Sequence, residues 1–420
     1  MLWRGRKPTT HGTCRTLVIR LALRHDRPMN DRDTPPFGAA LRPYFQLEDG
    51  AVYLNHGSYG ATPRSVTEAQ HRWQARVEAE PSRFMAREFR PALRAAANRL
   101  APYLGAISGE NIAMVENATD AVNAVLRSID WQPGDEILIT NQTYGAVRNT
   151  VHYIAKRTGA VPVDVALPFP ARSADTVIAA LTAGLSSRTR LAIIDHVTSP
   201  TALVLPLVPL VQAARAAGAL VLVDGAHAPG MVPIDLSQIA ADAYTGNCHK
   251  WLFAAKGCGF LWANDRMRDQ LHPTVISHGW GQGFTAEFDW VGTRDASAQH
   301  ALPAALDFVD RFGLGTVQTH NHALALAAGA RLAAHWSTET GAEEGMVGAM
   351  VMVRLPHGFT ASAENADTLR ERLVDDDRVQ VPINALAGGL WARVSSQIYN
   401  TIEEIDILAD AVLTKRPNPV

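Results

Sequence analysis

The chain of 420 residues contains only three cysteines, and Cys14, Cys248 and Cys258 stand at no metal-ligand spacing. That scarcity excludes a disulfide-stapled scaffold, gives no reason to expect a metal, and points to a reducing, cytoplasmic compartment. No run of 18 apolar residues occurs, so no segment reads as a membrane span. The patterns GxGxxG and GxxxxGK[ST] are both missing, which removes the main support for a dinucleotide or P-loop site. Internal repeats and low-complexity tracts are absent too. Lysine is scarce, standing only at positions 7, 156, 250, 256 and 415.

Charge of one sign is also lacking: 39 Lys and Arg face 41 Asp and Glu. A nucleic-acid surface needs a basic excess, so a small molecule is the expected partner. The balance conceals a local asymmetry. Residues 1–28 hold seven basic side chains and one acid, and subtracting them leaves 32 basic against 40 acidic residues. This stretch reads as an N-terminal extension over residues 1–44, a disordered or mis-assigned start. Its apolar run at 17–23 is interrupted by Arg20 and is too short for a secretory core.

What is present is ample core material, 47% hydrophobic against 19% charged residues. A chain of this size is more than one core usually serves, so two domains are expected. Residues 65–104 read as two helices broken at Glu80-Pro81, since proline cannot continue a helix. Short apolar runs at 112–115, 136–139, 191–194, 220–223 and 259–262 then alternate with helical stretches at 118–128, 145–158 and 206–217. This is the signature of βαβ units around a mostly parallel sheet buried on both faces. The predicted division is a large domain over 45–300 and a smaller α+β domain over 301–420. The latter holds one long helix at 302–336, strands near 350–355 and 389–394, and a final helix at 401–414.

In such sheets ligands gather at the carboxyl ends of strands. Asp224 directly follows the run 220–223, and about 26 residues later a short strand-like segment ends in His249-Lys250-Trp251. A strand-end Asp with a downstream Lys suits pyridoxal phosphate. The amine forms a Schiff base and moves the Cα proton, while the carboxylate keeps the pyridine nitrogen protonated. Singly, an N-capping Asp and a solvated Lys explain these residues as well; jointly, with a phosphate cradle, the cofactor explains them better. The cradle is the turn Asn117-Ala118-Thr119 ahead of a helix, whose free N–H groups face an anion.

These residues resemble a known family. NATD, Tyr144, DHVTSPTALVLP, DGAHAPG, GNCHKW, GTRD and RVSSQIYNTIEEID follow in order the pattern of fold-type I pyridoxal-phosphate enzymes of aminotransferase class V. LNHGSYGATP and the NCHKW form are similar to the isopenicillin N epimerase-like branch. The resemblance spans roughly residues 45–415 and implies an α/β fold with a seven-stranded, mostly parallel sheet. It also implies a homodimer with shared active sites, acting on an amino acid; from charge balance and apolar run length, neither nucleic acid nor membrane is an expected partner.

Residue by residue, the resemblance implies that Lys250 carries the Schiff base, that Asp224 meets the pyridine nitrogen and that Tyr144 stacks on the ring. His227, with Thr198 or Ser199, would lie by the phenolic oxygen. Asn117, Ala118, Thr119, Asn247 and His249 would hold the phosphate, joined by Thr293 from the neighbouring subunit. Arg393 would grip the substrate carboxylate, with Asn55 and His56 on the substrate side. For epimerisation, Tyr144, His56 or a water-linked group would serve as an acid/base opposite Lys250. No cysteine follows Cys258, which excludes a desulfurase-type nucleophile there. The first expectation is therefore an epimerase acting at Cα, with a C–S lyase or class V aminotransferase as the alternative. A non-catalytic pyridoxal-phosphate-binding protein is the remote one.

Overall fold

The alternation of apolar runs and helices is realised in a computed structural model that describes residues 35–416, of which the part from Pro36 onward clusters as one unit. Residues 1–34 and 417–420 lie outside the described residues, and with them the basic leader and Cys14. A 3-10 turn at Ala39–Tyr44 with Leu41 buried opens the described chain. Strand β1 (Val52–Tyr53) follows, then helices Arg64–Ala79, Pro81–Arg87 and Phe89–Leu100. The expected break is at Glu80, with Pro81 in the first turn of the next helix, where its missing N–H costs nothing.

The main sheet comprises β2 (Ile112–Val115), β3 (Glu136–Thr140), β4 (Val161–Val165), β5 (Thr189–Asp195), β6 (Leu220–Gly225), β7 (Ala243–Asn247) and β8 (Gly259–Ala263). Its spatial order is β2-β8-β7-β6-β5-β3-β4. All neighbours run parallel except the two pairs made by β8. Along β5 and β6 the side chains alternate between two apolar clusters. Ala192, Ile194, Val221 and Val223 enter one cluster, and Leu191, Ile193, Leu220 and Leu222 the other. Burial on both faces explains why these strands appear in the sequence as unbroken apolar runs.

A smaller sheet is built from β9 (Met350–Arg354), β11 (Ile383–Leu386) and β12 (Gly389–Ser395), antiparallel in the order β11-β12-β9. Between them in sequence, β10 (Val379–Gln380) pairs in parallel with β1. That pairing holds the start of the described chain, and the loop Asn55 to Gly60 after it, beside the later part. The final helix, Ile402–Thr414, starts from a capping box in which Thr401 and Glu404 satisfy each other's backbone N–H groups.

One local expectation is corrected, and one strand lies where no apolar run announces it. The helix predicted over 302–336 is two helices, Leu302–Phe312 and Leu314–Trp336, because Gly313 between them adopts a positive φ of 78°, a conformation that ends a helix at low cost only in glycine. Strand β4 carries no apolar run. It is an edge strand with exposed positions and Pro162 within it, and proline is tolerated in a sheet mainly at such edges.

Candidate active site

Three neighbouring strands end at the same level: Asp195 of β5 is opposite Asp224 of β6, which is opposite Thr245 of β7. The turns beyond these ends, with those after β2 and β3, enclose a cavity of about 450 Å³. Ten of the residues singled out in the sequence line it: Asn117, Ala118, Thr119, Tyr144, Ser199, Asp224, His227, Asn247, His249 and Lys250. They come from five separate turns, which is how a parallel sheet gathers groups distant in sequence.

The turn after β2 is the start of helix Ala118–Ser128. Asn117 caps it by accepting from the Asp120 N–H at 3.0 Å, and Asn247 at the end of β7 accepts from the Ala118 N–H at 2.9 Å. Asn247 thus ties the strand that leads into Lys250 to the helix end that faces the cavity. A helix N-terminus with a lining threonine, Thr119, is chemically suited to an anion. Tyr144 precedes helix Gly145–Thr158 and is 48% exposed, its ring bordering the cavity.

Asp224 is buried, and its Oδ1 accepts from the Ala226 N–H at 2.9 Å. Lys250 Nζ lies 3.2 Å from His227 Nε2. Burial pulls the Lys250 amine down to about 7; the positive Arg393 adds to this and Asp224 opposes it. Burial likewise holds His227 well below its ordinary value, helped by Lys250 and Arg393. Asp224 is pushed up by burial, against the Ala226 N–H and Lys250. Each shift favours the neutral form, as desolvation does. The cavity therefore disfavours isolated charges and favours a ligand that supplies counter-charges.

Arg393 lies on β12, almost fully buried. Its Nη1 donates to the Ser199 carbonyl and its Nη2 to Ser58 Oγ at 2.7 Å. Both partners line the cavity, so the guanidinium stands at its wall. Two buried nitrogens at the site have no partner among the described residues, His227 Nδ1 and Arg393 Nε. Orphaned buried polar atoms are uncommon and call for a partner. Together with the buried carboxylate, the amine and the helix end, they fit pyridoxal phosphate and an amino-acid carboxylate.

Four expected residues stand elsewhere. Thr198 is fully buried in its own turn, bonding Thr201 Oγ1 at 2.6 Å and the Leu203 N–H at 2.8 Å. Thr293 is exposed and outside the cavity lining of its own chain. Asn55 accepts from Ser58 Oγ and so acts within its loop. His56 is buried behind Lys250, with both ring nitrogens engaged. Among the lining residues that sequence reading missed, Asp195 is the most notable. Burial first, then Asp224, pushes its carboxyl well above the ordinary range. The signal for it was available: Asp195 ends its apolar run as Asp224 ends the next.

Comparison with known proteins bears on family and fold. The family model described as "Aminotransferase class-V" matches residues 52–408. A putative L-cysteine desulfhydrase 1 of Oryza sativa subsp. japonica is 37% identical, the match covering 89% of this chain and 85% of that one. An isopenicillin N epimerase of Amycolatopsis lactamdurans is also 37% identical, covering 89% and 97%. Among solved structures, a cystine C–S lyase in complex with its product cysteine persulfide superposes with a TM-score of 0.75 at 22% identity. That match covers 88% of this chain and 99% of the other, and shows the shared fold.

Proposed function

Because the chain belongs to aminotransferase class V and is a pyridoxal-phosphate-dependent enzyme, we propose that Lys250 anchors the cofactor and takes the Cα proton of a cysteine-type amino acid, whose sulfur then leaves from Cβ. When bound, pyridoxal phosphate would supply an electron sink for the bond broken at Cα. The remaining work falls to the protein. Asp224, buried at the end of β6, regains its charge opposite a ring cation. The end of helix Ala118–Ser128, with Thr119 and Asn247, receives the phosphate. Arg393 takes the substrate carboxylate in a two-pronged contact, the use for which a buried guanidinium is suited.

The observation that carries elimination is the distribution of bases. Lys250 is an amine with a pKa of about 7 inside the cavity, near the value at which one group both accepts and returns a proton around neutrality. His56, one of the groups considered for the opposite face, has both nitrogens occupied. Elimination needs one base. With cysteine the balance is one cysteine and one water giving sulfide, pyruvate and ammonia. Among the described residues no cysteine lines the cavity, which favours release of the sulfur as sulfide over its transfer to the protein.

Epimerisation is the second reading, favoured by the half-exposed Tyr144 at the cavity wall, whose hydroxyl would serve the opposite face. Incubation with L-cysteine and with larger L-amino acids in heavy water separates the two. Equal amounts of sulfide and pyruvate support elimination, whereas a D-isomer labelled at Cα with no keto acid supports epimerisation. We further propose a homodimer in which the exposed Thr293 reaches the neighbouring phosphate site. Sedimentation, and activity restored by mixing Thr293 and Lys250 variants, test that arrangement.

A further inference from the structure

The geometry points to His56 as the residue that positions Lys250, acting from behind through the lysine's backbone carbonyl and not as an acid or base on the substrate. The inference rests on the reading of Lys250 as the covalent anchor. His56 Nδ1 receives two donors, the Tyr399 hydroxyl at 2.8 Å and the Ala61 N–H at 3.2 Å. A nitrogen that accepts cannot carry the ring proton, so the proton sits on Nε2 and is donated to the Lys250 carbonyl at 2.9 Å. The ring is fully buried, 5.1 Å from Trp251 and 5.5 Å from Phe253 between ring centres. Burial pulls its pKa down to about 3, so the neutral ring with this tautomer persists at working pH.

The surrounding loop is built for the same contact. A Cβ on Gly60 would stand 2.2 Å from the His249 carbonyl oxygen and 3.1 Å from Lys250 Cα, at a φ of +69°. Only glycine lets the loop lie directly on the His249-Lys250 peptide. The Lys250 carbonyl also accepts from the Phe253 N–H at 3.2 Å, so it is held by its own turn on one side and by His56 on the other. Two residues along, Ser58 holds Arg393. One short loop thereby positions both the amine and the guanidinium.

Three variants test this. His56→Gln keeps an N–H donor near the position of Nε2, His56→Leu removes it, and Tyr399→Phe removes a donor that fixes the tautomer. Two readouts apply beside turnover: the pH midpoint of the bound cofactor's visible absorbance, and the rate at which apoprotein takes up pyridoxal phosphate into a borohydride-fixed form. In His56→Leu the uptake slows about tenfold and the midpoint moves by about one pH unit, the scale of one buried hydrogen bond lost. Tyr399→Phe shifts both readouts less, and His56→Gln restores most of the wild-type behaviour.

An unchanged midpoint and uptake in His56→Leu, even with a lowered melting temperature, overturns the proposal. So does a His56→Gln protein that binds cofactor normally yet does not turn over, which would make His56 an acid/base. Should His56→Leu not fold, unchanged readouts in Tyr399→Phe serve the same purpose. If borohydride fixes the cofactor on no Lys250 in the wild type, the anchor reading itself fails, a result separate from all of these.

Discussion

Two cavities of nearly equal size, about 450 and 430 Å³, each take one of the chain's few lysines. In the first, Lys250 meets His227, with Asp195 and Asp224 at the strand ends. In the second, Lys256 donates to the Gly60 carbonyl at 2.8 Å and to Thr62 Oγ1 at 3.1 Å, and among the described residues no acid or histidine lines it. Burial lowers the pKa of both amines. Neither residue type nor cavity size nor desolvation separates the two lysines. The difference is convergence: one lies where several strand ends deliver side chains, and the other beside a loop and a helix.

The sharpest way to break that comparison is to remove each lysine in turn. Lys250→Ala loses the borohydride-fixed cofactor, and its turnover falls by about three orders of magnitude or more, the upper part of what a positioned base contributes. Lys256→Ala stays within about twofold, as a change away from the chemistry does. Cofactor fixed normally in the first variant and lost in the second would exchange the two cavities. Absorbance spectra before and after borohydride decide it.

Within the first cavity the two carboxylates are the next contrast. Burial pushes both carboxyls up, and Asp224 raises Asp195 further, whereas the Ala226 N–H and Lys250 oppose the rise at Asp224, so an amide removes the better supported charge at Asp224. Asp224→Asn lowers kcat/KM by about two orders of magnitude, comparable to losing one preorganised electrostatic partner. Asp195→Asn changes it only a few fold. Equal losses would mean that both carboxylates are ionised with the cofactor in place.

Arg393 offers a smaller effect with a diagnostic shape. Arg393→Lys keeps the charge but loses the two-pronged contact, raising KM for an amino acid by about tenfold to a hundredfold. Ser58→Ala removes only the hydroxyl that holds Nη2 and raises KM less. A change in kcat alone in Arg393→Lys would move the guanidinium from substrate binding to the chemical step.

How much of this was legible in the sequence follows from the same contrast. Strands β5 and β6, buried on both faces, were visible as apolar runs, and the Asp and Lys beyond them were visible by spacing. Strand β4 was not, since an edge position with Pro162 carries no apolar signal. The split at Gly313 depends on a dihedral angle that composition does not encode. His56 was found but misplaced: a histidine in a glycine-bearing loop suggests an exposed base, and only the pairing of β1 with β10 reveals that the loop is pressed behind Lys250. Asp195 ends an apolar run as Asp224 does, but no lysine closes the strand that follows it, so its signal in the sequence is weaker.

The smallest expected effect compares histidines with acids through pH. Burial first of all lowers His300, which lies outside the cavity, to about 4, below the ordinary 6.5. As pH falls from about 6.5 towards 4, the unfolded chain gains this proton before the folded one, so the stability His300 contributes at neutral pH is lost across that window. Asp195 runs the other way. Its raised folded value makes the folded chain take up the proton first, so falling pH favours folding until the unfolded carboxyl also protonates near its ordinary 3.8. Urea midpoints of the apoprotein, measured at intervals from pH 7 to 4, show the difference. His300→Gln flattens the acid-side loss by up to about 1.4 kcal/mol per pH unit, whereas Asp195→Asn steepens it. A slope that changes in the same direction for both would mean that the strand-end carboxylate is charged in the folded apoprotein, and that the cavity penalises charge less than its burial implies.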